Sequence, residues 1–91
     1  MYTLVWSAGF TRSAERIIKN HPDLREKFAA ILRELEKDPF QPHLKYHQLR
    51  GNFKGIQAVS ITYSFRITLT VVVSDKEIIL LDVGSHDEVY R

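Results

Sequence analysis

The sequence predicts an α+β fold in the order β-α-α-β-β-β, an antiparallel-rich sheet with two N-terminal helices packed on one face. An alternating opening strand runs straight into two amphipathic stripes of helical spacing, Pro39 and Pro42 close that half, and from about residue 56 the apolar pattern changes to period 2. Residues 1–91 are expected to form one domain, since a chain of this length supports a single modest core.

Tyr2, Leu4 and Trp6 alternate with Thr3 and Val5, the pattern of a strand. Phe10, Ala14, Ile17 and Ile18 then share one helical face, so a helix is predicted from about 11 to 20, with Thr11 or Ser7 as its cap. Asn20-His21-Pro22-Asp23 breaks it. Pro22 suits a first helical position and Asp23 a first turn, and Leu24, Phe28, Ile31, Leu32 and Leu35 form one stripe to about Lys37. Asp38-Pro39-Phe40-Gln41-Pro42 ends this second helix, because each proline lacks a donor and disfavours helix in the residue before it. A polar connector follows from Pro42 to Gly55. Three strands are predicted beyond it, at about 56–62, 65–74 and 77–83. In the middle one Phe65, Ile67, Leu69, Val71 and Val73 share a buried face, while Arg66, Thr68 and Thr70 share a face that is at least partly wet.

Composition excludes several classes. Zero cysteines rule out a disulfide framework and thiolate metal sites, and the longest apolar runs are far short of a membrane span. The N-terminus lacks the basic flank of a secretory signal, so a cytoplasmic location and no membrane partner are expected. The histidines lack a metal-ligand spacing, apart from His43 and His47 in a probable loop, and no Gly-rich phosphate loop or nucleophile elbow is present. Neither a metal nor a cofactor is expected.

Charge is uneven along the chain. Between Asp38 and Asp75 there is no acidic residue, whereas Lys45, Arg50, Lys54 and Arg66 fall inside that window, which alone carries +4 against +2 for the whole chain. That asymmetry points to an electropositive face for a polyanion. The C-terminal stretch Gly84-Ser85-His86-Asp87-Glu88-Val89-Tyr90-Arg91 adds candidate chemistry, because Ser85 and Glu88 read as a capping box. In such a helical turn His86 and Tyr90, four apart, point the same way. The alternative is an exposed His86 with Tyr90 packed on the core.

Taken together, the β-α-α start, Leu49-Arg50-Gly51 with Lys54-Gly55 beyond it, Phe65-Arg66-Ile67 opening the central strand, and the Gly-Ser-His ending with Tyr90 resemble the RelE/ParE superfamily of small bacterial and archaeal toxins. The resemblance spans essentially the whole chain, and the ending looks most like the YafQ-type and related ribosome-dependent mRNA interferases. It implies a type II toxin with a cognate antitoxin partner, in a hetero-oligomer, that cleaves mRNA in the ribosomal A site without a metal. Residue by residue, it implies that Arg66 stabilises the scissile phosphate, that His86 stands for the C-terminal arginine or histidine, and that Tyr90 is the terminal aromatic. His47, Arg50, Lys54 and Lys45 would position substrate. The turn before the central strand, Thr62-Tyr63-Ser64, departs from the acidic or histidine group other members carry there, which leaves the general base open.

These residue types suit the chemistry. Cleavage by the RNA's own 2′-OH needs a proton acceptor, a cation for the dianionic phosphorane and a donor to the leaving 5′ oxygen. Histidine titrates nearest neutrality, arginine offers an always charged fork, and an aromatic ring can stack an unpaired base. Two functional alternatives stand beside this one: a non-enzymatic ParE-like inhibitor of DNA gyrase, and an inactive relative that only binds antitoxin. Structural alternatives stand too, with Arg66 paired to Asp82 across the sheet and His47 a solvated loop residue. His21 and His43 flank prolines and are read as turn residues.

Overall fold

The computed structural model describes residues 1–49, 51 and 54–85. Strand β1 (Thr3–Trp6) leads into helices α1 (Ala8–Asn20) and α2 (Arg25–Lys37), and then come β2 (His47–Gln48), β3 (Gln57–Ser60), β4 (Phe65–Val72) and β5 (Glu77–Ser85). The five strands form one sheet in the order β1-β5-β4-β3-β2. All neighbours are antiparallel except β1 with β5, which are parallel from Thr3↔Glu77 to Trp6↔Leu80. The α+β order predicted above is the observed one, with the two-residue β2 added where a plain connector was expected.

Helix α1 begins three residues before the predicted start because Ser7, not Thr11, caps it. Ser7 is extended (φ −77°, ψ 160°), and its Oγ accepts from the Phe10 N–H at 3.1 Å while donating to the Leu81 carbonyl at 3.2 Å. One hydroxyl thus satisfies an orphan helix donor and ties α1 to β5. Ser7→Ala is expected to cost about 1 kcal/mol, within the usual 0.5–2 for a lost cap. A lowered urea midpoint at unchanged m-value would show it; an unchanged midpoint would mean that the cap contributes nothing.

Pro22–Leu24 forms a 3₁₀ turn rather than the first turn of α2, so the second helix starts later than predicted and ends at Lys37 as predicted. Its end is held by Gln41, whose Nε2 donates to the carbonyls of Glu34 at 2.9 Å and Asp38 at 3.0 Å. Strand β3 is shorter than expected, because the chain turns through 61–64, where the Ile61 N–H meets the Phe65 carbonyl at 2.9 Å. Strand β4 stops at Val72, and Val73, expected on the buried face, lies in a 3₁₀ turn and is 61% exposed.

Phe10, Ala14 and Ile17 of α1 and Phe28, Ile31 and Leu35 of α2 pack with Val59, Ile67, Leu69, Ile78, Leu80 and Val83 in one apolar core. The register of β4 and β5 slips between Thr68 and Leu69, which face Asp82 and Leu80, so Leu81 is the extra residue of a β-bulge. The bulge lets Ile78, Leu80 and Val83 all reach the core although 80 and 83 are an odd number apart. Tyr46 packs beside this core, edge-on to Phe40 at 4.9 Å. Burial raises its phenol above the usual 10.0, and a nearby Tyr2 phenolate adds to the effect. The neutral ring is therefore the folded form, and its stabilising contribution is lost as pH climbs past about 10 through the folded value.

Candidate functional site

Sheet register places the candidate residues. Residues paired across strands share a face, so His47↔Ala58↔Thr68↔Asp82 form one row and Ser60↔Arg66↔Gly84 form the next row on the same side. Gln48, Gln57 and Leu69 alternate to the other side, toward the helices. The face away from the core thus has a floor of small side chains, Ala58, Ser60, Thr68 and Gly84, with Arg66 and His47 rising from it. This floor is less wet than the sequence suggests. Thr68, expected on an open face, is only 5% exposed, and its Oγ1 donates to the Asp82 carbonyl at 3.3 Å.

Arg66 is half-buried and oriented by the turn before it. Its Nη1 donates to the carbonyls of Thr62 at 3.1 Å and Tyr63 at 3.2 Å, which fixes one arm of the guanidinium. The pairing with Asp82 weighed from the sequence does not form. Asp82 Oδ1 instead accepts from Ser13 Oγ at 2.6 Å and the Val83 N–H at 2.9 Å. Arg66 has no carboxylate partner among the described residues, and the fork keeps further N–H donors for an incoming oxyanion.

His47 is exposed on the edge strand, with Nδ1 2.9 Å from the Lys45 carbonyl. A carbonyl only accepts, so this bond has the Nδ1–H donating to it. Lys45 itself is left-handed (φ 55°), which turns the chain from the 3₁₀ segment Pro42–Leu44 into β2. From strand spacings, two strands across and two residues along, the His47 and Arg66 Cα atoms stand about 12 Å apart.

The other candidates divide. Lys45 lines the same groove as Arg66, together with Lys27 and His43. Lys54 is exposed in the turn before β3, whose Gly55 carbonyl is bonded by Thr70 Oγ1 at 3.0 Å. That puts Lys54 toward the far end of β4, with Thr70 about 13 Å along the strand from Arg66. Arg50, His86 and Tyr90 lie outside the described residues, as does the predicted C-terminal helical turn. The last described residue, Ser85, ends β5 opposite Phe65, one place from Arg66. Of the two histidines read as turn residues, His21 packs edge-on to Phe65 at 5.1 Å, whereas His43 faces Glu34, Nε2 to Oε1 3.8 Å. Sequence reasoning missed Lys27 and His43 as neighbours of Arg66, and the acid-free window was the one signal that pointed toward this end of the sheet. Among the described residues no group of three or more His, Cys, Asp or Glu side chains could hold a metal ion. No described helix is long and apolar enough to cross a membrane.

Comparison with known proteins agrees with this architecture. A protein of Methanocaldococcus jannaschii named "Putative toxin RelE4" is 33% identical over 67 residues, covering 74% of this chain and 70% of that protein. The crystal structure of YafQ from E. coli superposes with a TM-score of 0.83 over 100% of both chains at 17% identity. YafQ in the E. coli DinJ-YafQ toxin-antitoxin complex gives 0.80 at 18% identity, over 99% of this chain and 98% of that one. At such identities the two structures show the shared fold. No family model matches the chain.

Proposed function

The chain belongs to the RelE family of toxins, and from that premise we propose that it is an mRNA endonuclease held in check by a cognate antitoxin. The supporting observation is the presentation of Arg66: one guanidinium arm bonded to the turn carbonyls, no carboxylate partner among the described residues, and an acid-free stretch of chain around it. Arg66 binds the scissile phosphate and stabilises the phosphorane as the neighbouring 2′-OH attacks. The attack forms the bond from the 2′ oxygen to phosphorus and breaks the bond to the 5′ oxygen, which leaves with a proton.

His86, the next residue in sequence after Ser85, is assigned the role of proton carrier. Tyr90 stacks an unpaired base. His47 is the second proton-transfer group, on the same sheet face as Arg66, and Lys45 and Arg50 hold flanking phosphates. Lys54, at the far end of β4, contributes only long-range attraction. The substrate is mRNA in the ribosomal A site. An antitoxin partner is supported by the fold shared with YafQ in its complex with DinJ.

Primer extension on cellular mRNA after induction of the chain tests this reading. Internal stops within coding regions are expected, at sites absent from uninduced cells and from cells carrying Arg66→Ala. Growth arrest without new stops, together with inhibited DNA gyrase, would replace the nuclease by a gyrase inhibitor.

A further inference from the structure

Where the β3–β4 turn meets α2, a groove of about 370 Å³ opens between Lys27 of α2, His43 and Lys45 of the connector, and Arg66. No carboxylate lines it among the described residues. Its lip carries Tyr63, which is 94% exposed. The turn that bears this ring is firmly built: Thr62 Oγ1 accepts from the N–H groups of Ser64 and Phe65 at 3.3 Å each, and the Tyr63 carbonyl accepts from Arg66. A large ring is thus held in water by an ordered turn, where its burial adds nothing to the fold.

We propose that this groove binds one nucleotide of single-stranded RNA next to the phosphate held by Arg66, its base stacked on Tyr63 and its phosphate between Lys27 and Lys45. The inference rests on the reading of Arg66 as the phosphate-binding group. Cations spaced along a groove with an open aromatic ring at its edge are the recurrent pattern for single-stranded nucleic acid, since every base offers a π face. An acidic peptide would use the lysines but leave the ring without a task. His43 Nε2 already faces Glu34 Oε1 at 3.8 Å, so the two lysines are the phosphate partners. Arg66, whose Nη1 is held by the turn, keeps Nε and Nη2 for the scissile phosphate, and the groove extends the substrate path from the sheet face toward α2.

The test measures binding of a fluorescent 2′-O-methyl hexanucleotide by anisotropy across a salt series, with thermal melts to check folding. All three substituted side chains are exposed, and asparagine tolerates the left-handed backbone at position 45. Tyr63→Ala is expected to weaken Kd about 5- to 150-fold. Lys27→Gln with Lys45→Asn should flatten the slope of log K against log salt by about 1.4, or about 0.7 for each lost phosphate contact. Unchanged affinity and slope in these variants overturn the inference, and so does a loss seen only with a glutamate-rich peptide while RNA binding holds. The probe cannot be cleaved by 2′-OH attack, so binding is read apart from catalysis. Wild-type protein that binds the probe through these residues yet cleaves no mRNA upholds the groove and refutes the nuclease.

Discussion

Replacing Arg66 by alanine is expected to lower mRNA cleavage about 100-fold or more, equivalent to about 2.7 kcal/mol of transition-state stabilisation. In the proposed reaction the guanidinium acts on charge that exists only as the phosphorane forms, so the loss should fall on the rate of the chemical step rather than on binding alone. Stability should change by no more than about 1 kcal/mol, because Arg66 is half-buried and its protein bonds are to carbonyls at a partly wet turn. Arg66→Lys keeps the charge but loses the planar fork, and should recover only part of the rate. His86→Gln should cost a similar factor of about 100 by removing a proton-transfer group. Single-turnover rates on ribosome-bound mRNA, with urea melts of each variant, are the relevant measurements. Rates within about threefold of wild type in both Arg66→Ala and His86→Gln would remove the proposed site.

The largest effect on stability is expected at Phe10. Its ring is fully buried, edge-on to Trp6 at 4.9 Å and stacked on Phe28 at 5.9 Å, so it joins β1, α1 and α2. Phe10→Ala should cost about 3–5 kcal/mol from lost transfer energy and the cavity left behind. A chain of this length is expected to have only about 5–14 kcal/mol in total. The melting temperature should therefore fall by about 12–40 °C. Tyr63→Ala, with its ring in water, should shift it by less than about 3 °C. A Phe10 variant that melted with the wild type would mean that the aromatic stack is not the joint between the helices and the sheet.

The two halves of the fold were legible for different reasons. The stripe from Phe28 to Leu35 and the alternation from Phe65 to Val71 each repeat a local period, and both appear as a helix and a strand over nearly the predicted residues. Periodicity does not record hydrogen bonds made far along the chain. The start of α1 depends on Ser7 meeting a carbonyl 74 positions away, and β2 exists only because His47 and Gln48 find Ala58 and Gln57. Nor does periodicity register the bulge at Leu81, which keeps Val83 in the core.

The same distinction runs through the site. Arg66 could be assigned to the face away from the core from alternation alone, and its register with Ser60 and Gly84 puts it there. What occupies its guanidinium could not be read: Asp82 was only one alternative partner, and the turn carbonyls hold it instead. Lys27 lies 39 positions before Arg66, so only the packing of α2 against the β3–β4 turn brings them to one groove. Lys54 and Arg66 looked like parts of one basic cluster in sequence, yet β4 holds their ends of the sheet apart.

The reaction proposed for this chain is cleavage of RNA by attack of the substrate's own 2′-OH. The most direct measurement is end-group analysis of the fragments produced when purified protein, freed of antitoxin, acts on mRNA bound to ribosomes. The expected fragments carry a 2′,3′-cyclic phosphate on the upstream piece and a 5′-hydroxyl on the downstream piece, and a single 2′-deoxy substitution at the scissile nucleotide abolishes them. Fragments with a 5′-phosphate, undiminished cleavage of the deoxy-substituted message, or intact mRNA throughout would contradict it.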